Sequence, residues 1–449
     1  MEFNFNSYFP QSGDLNKPSF FSNKNNRIIA IVVLAVLGLS IIIGACVGCY
    51  FAGKNDSYTK MLNEELTISN EIYDLIKRNY YKDITREEFD FYASLGLSNA
   101  MDQFSGLAYA SSVPTARFGI TQKSDSYNNH IITEVSVGSP AGNAIGSYVD
   151  GSSGVVKLER GDLIVEVDNQ SVEGLTNDVL NGDEFLGKLF VNLKVKKSNG
   201  KIASFNIKKS YFESKEAFYS NLGNGIGYIK LHSFTGTAKE DFISCANQFK
   251  SNANNKLILD LRDNGGGSTD ILSAIASYII HDKNGESNGL EIIKLKSEKS
   301  QKVSTYTAEG DNWLGAGKSN YKLAVLVNEN SASASEALLG AIKFYCPEAT
   351  IIGSPTYGKG IAQQAFALKS TPNYYISMTV GYFYVPVNKN GKLEWISYHG
   401  TPMVVSTGYE IESIPTLNFY SNDLYKEYYN NDFKEENAVK KAIDLLKSA

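Results

Sequence analysis

Residues 329-ENSASASEALLGA-341 hold three serines at alternate positions, Ser331, Ser333 and Ser335. An apolar strand-like run, 323-LAVLV-327, precedes them, and a helix-like run, 336-EALLGAIKFY-345, follows. A small-residue turn from strand to helix is where a fold can expose a reactive hydroxyl. A serine hydroxyl is a weak nucleophile until a neighbouring base takes its proton. The chain has four histidines, His130, His232, His281 and His399, and none is close in sequence. Each reads as a surface or structural residue, with His232 the strongest candidate for a Ser-His arrangement. Lys359 is the other candidate, held between Gly358 and Gly360 in the turn 354-SPTYGKG-360. A lysine amine, with an ordinary pKa of about 10.4, is too basic for this work in water. Burial disfavours its charged form, and the neutral amine can then deprotonate a serine. Taken alone, a Gly-Lys-Gly also reads as a solvated turn.

The same turn imitates a phosphate-binding loop, since 353-GSPTYGKG-360 fits G-x-x-x-x-G-K. Gly360 stands where Ser or Thr should bind magnesium. The following 361-IAQQAFAL-368 reads as a strand, not as the helix whose N-terminus must face the phosphates. Nucleotide binding is not expected. The four cysteines, Cys46, Cys49, Cys245 and Cys346, are too scattered for a disulfide framework or a metal site. The net charge of −5 lacks the basic excess of a nucleic-acid binder.

The elements that must position these residues alternate between strand and helix. The run 256-KLILDLR-262 reads as a buried strand, followed by the glycine turn 263-DNGGGS-268 and the helical 270-DILSAIASYII-280. Strand-like 349-ATIIG-353 and 376-ISMTVGYFYV-385 and the amphipathic 433-FKEENAVKKAIDLLKSA-449 complete a mixed α/β core over 211–449. Residues 57–110 read as helical, with Thr85 and Glu88 spaced as a capping box. Residues 114–210 are β-rich. Strand-like 131-IITEVSV-137 and 163-LIVEVDNQSV-172 precede a hairpin over 191–207 turning at Asn199-Gly200.

The order R-F-G-I (117–120), G-S-P-A (138–141), R-G-D-L-I (160–164) and V-D-N-Q-S-V (167–172) resembles a PDZ domain. Such domains bind a free C-terminus as an added strand with its carboxylate on a backbone nest. The resemblance puts that nest at Phe118, Gly119 and Ile120. From about residue 66 to its end, the chain resembles the carboxy-terminal processing (tail-specific) serine proteases with a Ser-Lys centre. The resemblance rests on Leu259-Asp260-Leu261-Arg262-Asp263-Asn264-Gly265-Gly266-Gly267, on Ser-Ala-Ser-Ala-Ser-Glu, and on Pro355-Thr356-Tyr357-Gly358-Lys359-Gly360 with Gln363. It implies Ser333 as nucleophile, Lys359 as general base and Gln363 as the residue orienting the lysine. Ser331 and Ser335 become packing residues. The implied oxyanion donors are the N–H groups of Ala334 and of Gly265 or Gly266. The resemblance implies no cofactor, protein substrates with free apolar C-termini, and room for a homo-oligomer. The segment 399-HGTPM-403 departs from the family pattern, with no expected consequence for these residues. The rival reading is a receptor on an inactive protease fold.

The uncharged run 28-IIAIVVLAVLGLSIIIGACVGCYFA-52 is long enough to span a bilayer core of about 30 Å. It reads as a single transmembrane helix after a cytoplasmic tail (1–27), leaving the catalytic part outside the cell membrane. Ile43-Gly44-Ala45-Cys46 gives a weaker reading as a lipid-attachment box.

Overall fold

The computed structural model describes residues 70–78, 84–98, 101–109, 117–124, 128–136, 138–175, 180, 188–212, 214–318, 320–368, 374–411 and 432–448. The expected cytoplasmic tail and transmembrane helix lie outside them. Among the described residues no helix is long and apolar enough to cross a membrane. The described residues fall into two compact units, one from 70–109 with 363–380 and the other from 117–362 with 381–448.

In the smaller unit, residues 70–78 and Arg86–Ser98 are helices. The capping box forms: Thr85 N–H donates to Glu88 Oε2 (2.9 Å), and Glu88 N–H to Thr85 Oγ1 (3.1 Å). The expected helical character does not reach 110, because Gly106–Tyr109 is a strand paired antiparallel with 374–377. A local turn and a distant strand set this together. Asp102 Oδ1 accepts the Phe104 N–H (2.9 Å) and turns the chain, and the buried Ser105 hydroxyl accepts the Thr379 N–H (3.0 Å).

The larger unit is built on a five-stranded sheet in the order Thr350–Gly353, Lys322–Val327, Lys256–Asp260, Ile226–Leu231, Ala217–Gly223. The first four strands are parallel, and the last is antiparallel to its neighbour. Parallel strands are covered on both faces, which is why 323–327 and 257–259 are unbroken apolar runs. On one face Ile226, Tyr228, Ile258, Ala324, Leu326 and Ile352 pack against Ala438, Val439, Ala442 and Leu446 of the terminal helix Asn437–Ser448. Their alternates Leu257, Leu259, Val325 and Val327 are as deeply buried and point the other way. Register matters here. Asp260 lies opposite Leu326, so the two chains leave the sheet side by side. Loops 261–268 and 328–333 therefore meet at the C-terminal edge, where open α/β sheets place their sites.

The β-rich part of this unit is a seven-stranded sheet with main order 120–124, 130–135, 163–167, 190–196, 202–208 and 147–148. Its hairpin turns at Gly200 (φ +84°), as the Asn-Gly signal requires. The strand-like run 163–172 is broken. Asp168 and Asn169 take left-handed conformations (φ 51° and 65°) and return the chain as Gln170–Ser171 against Leu163–Val167. Ser139 caps the short helix Pro140–Asn143 by accepting the Gly142 N–H (3.0 Å).

Truncating Leu446, fully buried against the sheet, should cost about 2–5 kcal/mol. Lys447→Ala, one residue on and exposed, should cost under about 0.5 kcal/mol. Urea unfolding of the two variants reads the difference. Equal midpoints would mean that the terminal helix does not cover the sheet.

Candidate active site

Ser333 ends the loop from Lys322–Val327 and caps the helix Ala334–Tyr345. Its backbone is left-handed (φ 55°, ψ −113°), a conformation costly for a residue with a side chain. Ser331 and Ser335 are buried and spent on structure. Ser331 Oγ donates to Leu261 O (2.8 Å), and Ser335 Oγ donates to Asn264 O (2.9 Å). Ser333 alone of the three is partly accessible. That separates it from its two neighbours.

The glycine turn lies directly against it. A Cβ on Gly266 (φ +98°) would sit 2.7 Å from Ser333 Cβ and 2.8 Å from Ala334 N. Only glycine allows the backbone this close. Gly266 N–H donates to Asn264 Oδ1 (2.9 Å), so in this arrangement it is committed within the protein. Gly265 is exposed at the same turn. Asn264 fixes the turn from below: its Nδ2 donates to Leu231 O (2.9 Å), and its carbonyl accepts Ala332 N–H (3.0 Å).

The group that joins serine and lysine is Glu336, fully buried in the first turn of the serine helix. Its Oε2 accepts the N–H of Ser333 (2.9 Å) and of Lys359 (2.8 Å). Its Oε1 accepts the N–H of Gly358 (2.6 Å) and the hydroxyl of Thr356 (2.6 Å). One carboxylate thus fastens the Ser333 backbone to the lysine turn. Burial raises the Glu336 carboxyl above its ordinary range, and the bonds from Thr356, Gly358, Lys359 and Ser333 offset this only in part. The sequence reading passed over Glu336. Ser-x-x-Glu before an apolar run was a usable signal, the same spacing as Thr85 and Glu88.

The 399–403 segment braces the lysine turn. Thr356 N–H donates to Met403 O (3.1 Å), Met403 N–H to Thr356 Oγ1 (2.8 Å), and Gly400 N–H to Gly358 O (2.9 Å). A Cβ on Gly360 would meet His399 N at 2.5 Å, and Gly358 sits at φ +86°. The two glycines flanking Lys359 are therefore required by close approach and by backbone conformation, not by phosphate. The strand Ile361–Ala367 follows, as expected. Tyr398 OH adds a bond to Ser333 O (3.2 Å).

Gln363 belongs to the smaller unit, where its amide donates to Phe104 O and to Ser377 Oγ (3.4 Å). His130 is buried between Ser124 Oγ (2.9 Å) and Val172 O (3.2 Å). His232 lies 3.3 Å from Glu134, and burial lowers its pKa despite that carboxylate. His281 stacks on Trp313.

Beneath the site runs a buried chain of charges that the sequence did not reveal. Burial alone would raise Asp260, but Arg262 and Lys230 outweigh it and hold the carboxyl well below the ordinary range. Arg262 Nη2 bonds Asp260 Oδ2 (2.5 Å) and pairs with Glu436 (3.0 Å). Arg160, from the β-rich part, reaches the same Glu436 with Nε (2.6 Å) and Thr133 O with Nη1 (2.5 Å). In that part Phe118 is buried, and its carbonyl accepts Ala141 N–H (3.0 Å). Gly119 (φ +82°) has no room for a side chain against Ser139, and Ile120 opens the strand Ile120–Ser124. This strand ends the main strand path, paired with His130–Val135.

Residues 225–396 match the family model "Peptidase family S41". The chain is 28% identical over 252 residues to carboxyl-terminal-processing peptidase 1, chloroplastic, of Arabidopsis thaliana, covering 54% of this chain and 48% of the relative. It is 31% identical over 170 residues to a carboxyl-terminal-processing protease of Picosynechococcus, covering 37% and 36%. The matches therefore span about half or less of these relatives. The fold is similar to that of a candidate S41 protease of Bacteroides fragilis (TM-score 0.53, 17% identity, 82% of this chain and 91% of that one).

Glu336→Gln replaces an acceptor oxygen with an amide that faces donors. Losing two charge-assisted bonds, at roughly 1.5–3 kcal/mol each, should lower kcat by about 100-fold or more. KM should stay within about twofold and the far-UV spectrum should be unchanged. A variant that loses only KM would contradict the positioning role.

Proposed function

We infer that this chain, which carries a peptidase family S41 domain at residues 225–396, is a membrane-anchored serine endopeptidase that processes protein C-termini by a Ser-Lys mechanism. The observation that carries the reading is the shared carboxylate. Ser333 and Lys359 both donate their backbone N–H to one oxygen of Glu336, so two residues 26 apart in sequence are held on one group.

In the proposed reaction, the neutral Lys359 amine takes the Ser333 hydroxyl proton as Oγ attacks the peptide carbonyl. The N–H of Ala334, at the start of the serine helix, stabilises the tetrahedral oxyanion together with Gly265. A donor of this kind is worth roughly 3–4 kcal/mol. Lys359 then passes its proton to the leaving amine, and water hydrolyses the acyl-enzyme. Gln363 is assigned the orienting role by resemblance alone.

The β-rich part is proposed as a PDZ domain that captures the substrate's tail. Its support is the strand Ile120–Ser124 at the end of the main strand path, preceded by Phe118 and the left-handed Gly119. An apolar C-terminus would add there as a strand. The apolar run 28–52 is proposed as the anchor, with the catalytic part outside the membrane.

Cleavage of an unfolded protein with an apolar C-terminus tests this directly. Wild type should cut, while Ser333→Ala and Lys359→Ala should be folded and at least about 1,000-fold slower. His232→Ala should retain activity. Cleavage surviving Lys359→Ala but lost in His232→Ala would replace the lysine by a histidine base. A folded wild type that binds tails and never cuts would favour the receptor reading.

A further inference from the structure

Away from the nucleophile, the fold gathers three side chains that sequence spacing does not connect. His281 follows Ile280, the C-cap of the helix Thr269–Ile279. Cys346 is the C-cap of the serine helix, and Glu348 is two residues on. One ligand atom from each of His281, Cys346 and Glu348 lies within 4.8 Å of the other two.

The tautomer of His281 is fixed by its partner. Nδ1 lies 2.8 Å from Asp282 O, and a carbonyl can only accept. Nδ1 therefore carries the proton, and in the neutral ring Nε2 presents a lone pair. A ring nitrogen donated to a backbone carbonyl is the usual outer support of a metal-binding histidine. The ring is also held by stacking on Trp313, with centroids 3.8 Å apart. Nε2 lies 3.7 Å from Glu348 Oε1, too far for a hydrogen bond. A tetrahedral zinc would draw the two atoms slightly closer, since its nitrogen and oxygen ligands lie about 3.3–3.5 Å apart.

A second, independent observation points to the same place. The Tyr321 hydroxyl is buried without a hydrogen-bond partner. The Tyr321 ring packs edge-on against Trp313 (centroids 5.5 Å), the same ring that His281 stacks on, which sets the phenol beside this cluster. A buried hydroxyl without an acceptor calls for an unseen one, and a metal-bound water would serve. The buried Cys346 thiol donates to Ile279 O (3.7 Å), a contact that the cation would replace.

We propose that His281 Nε2, Cys346 Sγ and Glu348 bind one zinc-class divalent cation, with a water in the fourth position. Mixed nitrogen, thiolate and carboxylate donors suit zinc over magnesium or calcium. On binding, the Cys346 S–H bond breaks, its proton goes to solvent, and a sulfur–metal bond forms. The ion clips together the C-terminal ends of two helices. The serine helix places it about 20 Å from Ser333, too far to take part in chemistry there.

The test uses the full chain with Cys46→Ser and Cys49→Ser, treated with chelator and titrated with Co²⁺ and then Zn²⁺. One equivalent of Co²⁺ should give a thiolate charge-transfer band and tetrahedral d–d absorption, and Zn²⁺ should displace it. Cys346→Ser should abolish the thiolate band. Glu348→Gln, at an exposed position that leaves folding untouched, should weaken Zn²⁺ binding at least about tenfold and remove its rise in Tm. A folded protein with no stoichiometric thiolate band overturns the proposal. So does binding that survives both substitutions.

Discussion

The arrangement of this site depends on one buried carboxylate. Glu336 accepts four donors, from Ser333, Thr356, Gly358 and Lys359. Taking a carboxylate out of water costs several kcal/mol unless its lone pairs are met. Here the donors meet them, yet burial still raises the carboxyl above its ordinary range. The sign follows from linkage. A raised folded-state pKa gives stability that is present in acid and lost as pH rises through that pKa. At neutral pH the ionised Glu336 is thus a stability cost. What the fold gains is position, since one rigid group holds both the left-handed Ser333 backbone and the lysine turn.

Everything around this carboxylate keeps it in place. Parallel register brings the 261–268 and 328–333 loops out of the sheet together. Asn264 bonds across them, and Gly266 fills the gap that a side chain would close. The 399–403 segment supports the lysine turn from its other side. Below, Asp260, Arg262 and Glu436 tie the central strand to the segment before the terminal helix, and Arg160 brings the β-rich part onto the same glutamate. Breaking one partner of such a buried chain leaves a charge unpaired, which is far costlier than removing an exposed ion pair.

The central strands were legible in sequence because burial on both faces leaves apolar runs with clear ends. Ser333 and Lys359 drew attention because small residues crowd around them, but the family resemblance alone singled them out. Glu336 was not legible, although its spacing was available, because a glutamate at the third helical position is ordinary on a surface and its burial is a tertiary fact. Asp260 and Arg262 were quoted as motif without a role: they bond each other, but Arg262's further partner, Glu436, lies 174 residues away. Strand 106–109 was read into a helical segment because its pairing partner, 374–377, is distant in sequence. The break at Asp168-Asn169 was a missed turn signal: both residues tolerate left-handed backbone. His281, Cys346 and Glu348 come together only through folding, at the ends of two helices, so cysteine spacing in the sequence does not show their proximity.

The most direct test of the Ser-Lys account is the site and rate of covalent labelling by a fluorophosphonate, located by peptide mass spectrometry. The account predicts a single adduct on Ser333 whose rate rises through one titration with pH, with that titration absent in Lys359→Ala. An adduct on Ser331 or Ser335, or a pH profile unchanged by Lys359→Ala, would contradict it.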